Sequence, residues 1–261
     1  MTNKWLKVAL MVTAIATGTS INIDAETVLY VPQDDRPVSL QYTVDTAREA
    51  GMTVLTPPQH LISGKTYQGQ ADQIMAWVEQ NAGRADVMVL STDTLIYGGL
   101  VDSRKHNIPL STLQNRLKRI EGLKARNKNV RIYGFGTVMR SPRASGGGTE
   151  PAYYAEYGPT IFQIAALQDK LDSGSLTQEE TQKMMSLQAS VPVEYLQDWF
   201  DRRQKNMKIN KELIDETRSG VFDYFALGHD DTSQLSQSAL EGRYLNKYSK
   251  DISVEKYGSF P

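Results

Sequence analysis

The chain has 261 residues, 40% of them hydrophobic, with 29 basic residues, 30 acidic ones and no cysteine. That is enough apolar material for a core of its own. The missing cysteine excludes disulfides, thiolate metal sites and a cysteine nucleophile. The near balance of charge gives no electrostatic reason to expect nucleic acid or an anionic membrane surface as a partner.

Lys4 and Lys7 open the chain with a short basic stretch, Val8 to Ile15 is almost wholly apolar, and Ile23-Asp24-Ala25 offers a small residue for cleavage. This layout predicts a signal peptide over residues 1–25 and a secreted or otherwise extracytoplasmic protein. The apolar run falls short of the roughly 20 residues of a membrane span, so no stable membrane insertion is expected after cleavage. A buried N-terminal helix is the alternative, but the segment has neither a cap nor a polar face.

Residues 26–261 then read as one α/β domain. Thr27 to Val31 is a short β-rich run ending at Pro32, and Leu40, Val44 and Ala47 follow at helical spacing up to Gly51. Met52 to Leu55 is the second strand. Ala71, Ile74, Met75 and Val78 mark one face of a helix. Asp86 to Leu90 is the third strand, and Leu110, Leu113, Leu117 and Ile120 define a helix ending near Asn127. Val130 to Phe135 and Phe222 to Leu227 are the fourth and fifth strands, with Ile252 to Tyr257 as a candidate sixth. Between the fourth and fifth lies a helical insert at about 159–219. It comprises Thr160 to Leu171, a helix opened by the capping-box pair Thr177 and Glu180, and a long third helix marked by Val193 through Ile214. Alternating strands and helices imply a parallel sheet, either an open doubly wound sheet or an incomplete barrel.

In such folds ligands bind at the C-terminal ends of the strands. The first strand is followed by Gln33-Asp34-Asp35-Arg36, and the third by Ser91-Thr92-Asp93 and then Tyr97-Gly98-Gly99. The fourth is followed by Arg140, Arg143 and a triple glycine, and the fifth by His229-Asp230-Asp231. If these turns converge on one rim, their carboxylates can act as an acid and a base or nucleophile. They can equally hold Mg or Ca, or hydrogen-bond a polar ligand. Each also has a plainer reading. Asp34 and Asp35 can cap a turn or pair with Arg36. Tyr153, Tyr154 and Tyr157 can line a sugar site or the core. The triple glycine lacks the Lys-Ser/Thr of a phosphate-cradling loop. Three histidines without an i+4 partner argue against zinc, and no G-x-S-x-G elbow is present.

VLYVPQDDRPV (Val28 to Val38) resembles an uncharacterised bacterial family, domain-of-unknown-function family 4127. So do STDTLIYGGLVDSR (Ser91 to Arg104), MRSPRASGGGTEPAYYAEYG (Met139 to Gly158) and LGHDDTSQLSQ (Leu227 to Gln237). The resemblance runs from about Val28 onward and assigns no reaction. It implies a longer polypeptide of which this chain is an N-terminal portion.

The functional expectation is a secreted hydrolase acting on carbohydrate. Asp34 or Asp35, with Asp230 or Asp231, would supply acid and base or nucleophile. Arg36, Asp93, Tyr97, Arg140, Arg143 and His229 would hold the substrate. The alternative is a non-catalytic extracytoplasmic protein that binds a sugar or another polar small molecule.

Overall fold

The computed structural model describes residues 25–144, 147–231 and 233–250. The expected signal peptide, through Asp24, and the candidate sixth strand lie outside these residues. Five strands form one sheet: β1 (Thr27–Val31), β2 (Thr53–Leu55), β3 (Val87–Ser91), β4 (Arg131–Val138) and β5 (Tyr224–His229). Their order is β2-β1-β3-β4-β5 and every pair is parallel. Of the two architectures the sequence allowed, this is the open doubly wound sheet. The order reverses beside β1, so the crevice between the ends of β1 and β3 is the topological switch point, where open α/β sheets take their ligands.

The helices α1 (Gln41–Glu49), α2 (Ala71–Asn81) and α5 (Leu110–Arg126) fall where the apolar spacing put them. Ala71, Ile74, Met75 and Val78 are all buried, as are Leu113, Leu117 and Ile120. They pack with Leu29 and Val31 of β1, Met88 and Leu90 of β3, and Ile132 of β4 into the main core. Gly134 on β4 has no side chain because Phe222 and Phe225 occupy that space; a Cβ there would come within 2.7 Å of the Phe222 ring.

Two short helices were not foreseen: α3 (Thr92–Tyr97) and α4 (Leu100–Lys105). What reads as a loop after β3 turns straight into helix. The Ser91 hydroxyl accepts the Thr94 N–H at 3.3 Å, and all six residues of α3 are buried. Gly98 ends it in the left-handed conformation at φ 111°.

The insert forms α6 (Tyr154–Asp172), α7 (Gln178–Ala189) and α8 (Val193–Arg218). The first starts six residues before Thr160 and carries Pro159 in its second turn, where proline has no N–H to give the Ala155 carbonyl. The capping box at Thr177 and Glu180 is present in full. The later part of α8 contributes Ile209 and Leu213 to the main core. Its first turns place Trp199 with Tyr154, Ile161 and Ile164 in a second one. Tyr154 is wholly buried there, Tyr153 stacks on Tyr195 and Tyr157 lies tilted against the same ring, so these tyrosines serve packing. A further helix, α9 (Gln237–Lys250), follows β5; its apolar positions were too sparse to be read from the sequence.

Candidate functional site

The strand ends do meet. Asp93, in the first turn of α3, is 2% exposed. Its Oδ2 accepts two hydrogen bonds of 2.8 Å, from Gln33 Nε2 after β1 and from Thr137 Oγ1 near the end of β4. Thr94 Oγ1 donates to the Pro32 carbonyl at 2.6 Å, so α3 is tied to the turn after β1 on a second side. Glycine at Gly136 leaves the room that Asp93 and Thr92 occupy.

Beyond Asp93 lies a chain of charges. Arg104, buried at the end of α4, hydrogen-bonds Asp230 after β5 and has its Nη1 3.9 Å from Glu150. Glu150 is buried and accepts from Arg140 Nε at 2.7 Å. Asp231 accepts the Ser141 backbone N–H at 3.0 Å, joining the ends of β4 and β5, and the Ser233 N–H at 2.8 Å. Of the expected residues, Arg140 and Asp230 therefore share one cluster around Arg104 and Glu150, with Asp93 under the influence of the Arg104 charge and Asp231 bonded to the backbone beside Arg140.

The others fall elsewhere. Asp34 is buried and bonded to Arg36 two residues on, through its backbone N–H at 3.2 Å and Nε at 2.7 Å. That is the local turn and ion-pair arrangement. Asp35 accepts the Tyr67 hydroxyl. Arg143 is exposed and lies 5.3 Å above the Phe162 ring of α6. The His229 ring lies against Gly242 of α9. Tyr97 is buried in the main core and stacks on His106 at 5.0 Å. Sequence reasoning missed Gln33, Thr137, Arg104 and Glu150. Gln33, Arg104 and Glu150 lie within the family-like segments, but nothing in their spacing marked them.

The electrostatics single out Asp93. Burial raises its carboxyl to about 6, against the opposing hydrogen bonds from Gln33 and Thr137 and the charge of Arg104. Burial likewise lowers Arg104, with Asp230 and Glu150 countering. His106 is pushed down to about 4 by burial. It accepts the Ile108 N–H at Nδ1 and holds Asn206 through Nε2, so it is a neutral structural imidazole. Among the described residues no group of three or more histidine and acidic side chains is disposed to hold a metal ion; the acidic side chains at the mouth are engaged by arginine, tyrosine, amide and hydroxyl donors instead.

A family model described as "Protein of unknown function (DUF4127)" matches residues 28–261. No curated protein and no solved structure matches the chain.

Proposed function

The chain belongs to the DUF4127 family, a name that assigns no reaction, and from its site we propose an extracytoplasmic hydrolase acting on a small polar substrate of the carbohydrate class. One observation carries this reading. A buried carboxyl raised to about 6 sits at the switch point of the sheet, next to an arginine that binds a second, partly exposed carboxylate.

Asp93 is the proton donor. At neutral pH and below it holds enough of its proton to pass it to a leaving-group oxygen as the C–O bond breaks. Asp230, whose side chain is 35% exposed beside Arg104, takes a proton from the water that attacks the carbon. One O–H bond of water is broken, one C–O bond forms, and Asp93 ends as the carboxylate. Gln33, half-buried over Asp93, is the side chain that swings aside to admit substrate. The extracytoplasmic location rests on the composition of residues 1–25.

A second reading, a binding protein without catalysis, is favoured by a different observation. Asp231 and Glu150 at the cluster each already hold a hydrogen-bond partner, as in a rim that only grips a ligand. The test is hydrolysis of a panel of aryl glycosides and esters by the wild type and by Asp93→Asn and Asp230→Asn. Turnover lost in both variants, with ligand-induced thermal stabilisation retained, supports the hydrolase. Thermal stabilisation by sugars with no turnover in the wild type replaces it with the binding reading.

A further inference from the structure

Between α8 and α9 lies an open groove of about 490 Å³, within the range that suits a small ligand. Phe200 and Met207 of α8 face Leu240 and Tyr244 of α9 across it, so its walls are largely apolar. Its one lining carboxylate, Glu241, is closed off by Arg203 in a two-pronged pair, both contacts 2.7 Å. Lys208 and Lys211 also line it. Lys208, half-exposed, pairs with Glu212 of its own helix at 3.1 Å, and the Lys211 ammonium lies 5.5 Å over the Tyr248 ring. Such surface pairs are weak and readily exchanged for a better partner. Gln237 donates to Glu241 at 3.1 Å through Nε2, and its Oε1 is buried with no partner among the described residues.

We propose that this groove binds a small hydroxylated aromatic carboxylic acid. The apolar body fills the space between Phe200, Met207, Leu240 and Tyr244. The carboxylate meets the excess positive charge of Lys208 and Lys211, and the hydroxyl donates to the unmatched Gln237 oxygen. The groove also reaches the candidate active site. Arg203, on its floor, donates to the carbonyls of Met139 at 2.6 Å and Arg140 at 3.0 Å, which fixes the end of β4. The guanidinium lies 5.4 Å from the Trp199 ring, so an occupant that shifts Arg203 will change tryptophan fluorescence. None of this depends on the hydrolase reading.

The test is calorimetric and fluorescence titration of the full chain with 4-hydroxyphenylacetate. The expected result is saturable binding at about 0.1–1 mM, the range for a ligand of roughly eleven heavy atoms. The neutral amide of the same acid, and the double variant Lys208→Ala with Lys211→Ala, should each bind about five- to tenfold more weakly. Leu240→Trp, which fills the groove, should abolish the signal. No saturable binding below about 10 mM, or binding that the amide and the lysine variant leave unchanged, overturns the proposal.

Discussion

Replacing Asp93 by asparagine should make the protein more stable and less active at once. Burial holds the folded-state carboxyl at about 6 against an ordinary 3.8. Keeping it ionised inside the fold above that pH costs about 3 kcal/mol. Asparagine has nearly the same shape, and its oxygen can still accept from Gln33 and Thr137. The attraction of Arg104 for the ionised form is already contained in that value, so the net gain is about 3 kcal/mol at most. For a chain of this length that is up to about 6–12 °C in Tm. The folded state binds this proton more tightly than the unfolded one. The favourable contribution of the protonated acid is therefore complete below 3.8 and disappears as pH rises through about 6. Thermal unfolding of wild type and variant from about pH 4 to about pH 8 should show a Tm difference near zero at the acid end and full size above pH 6. A variant that is less stable at every pH would refute the reasoning. Asp93 would then be an ionised anchor for Arg104 and not a carboxyl held near its own neutral form.

The same acid sets the activity profile: hydrolysis should fall as pH rises above about 6, where Asp93 no longer carries the proton it must donate, and a rate that climbs instead assigns it to the base. Arg104→Met leaves Glu150 and Asp230 without their shared cation and should cost about 3–5 kcal/mol in urea unfolding, nearer the lower figure because Asp230 is partly solvated. Gly98→Ala forces a side chain into φ 111° and brings its Cβ to 2.9 Å from the Gly69 carbonyl; about 1–3 kcal/mol is expected, against about 1 kcal/mol for Gly148→Ala, whose Cβ meets open space. Glu216 is raised to about 7 by burial and by Glu121, so it favours folding below 4.5 and loses that contribution as pH rises to about 7. Glu216→Gln should flatten that part of the stability curve, read by the same urea titration at several pH values.

The long amphipathic helices were legible because four apolar residues at i, i+3, i+4 and i+7 suffice to define a buried face, as Ala71 to Val78 do in α2. α3 was not, because six residues span less than two turns. Thr92, Thr94 and Ile96 also have no strong helical preference of their own, and burial on every side holds the helix instead. That helix also decides where Tyr97 goes. It lies one turn beyond Asp93, about 6 Å further along the axis, and so leaves the mouth for the core beside His106. Asp93 was visible because it directly follows a strand. Arg104 was not, since one helix, a left-handed glycine and most of a second helix lie between it and β3. Asp34 could not be told apart from a cap by sequence, because Asp-x-Arg suits a local ion pair and a catalytic carboxylate equally well.

Which force sets the state of Asp93 decides what kind of site this is. A carboxylate in the first turn of a helix is ordinarily favoured by about 0.3–1 kcal/mol. Here Gln33, Thr137 and Arg104 add to the same side. Burial outweighs all of them, although the polar contacts are individually good. A carboxylate that only grips a cation or a sugar hydroxyl works as the anion, which sealing it away from water disfavours. An acid that must keep its proton near neutrality needs that seal, and the reversal of strand order between β1 and β3 supplies it. The turn after β1 and the end of β4 close over the start of α3 from both sides, through the bonds to Gln33 and Thr137. Asp230 and Asp231, at the outer end of the same sheet, remain in reach of solvent.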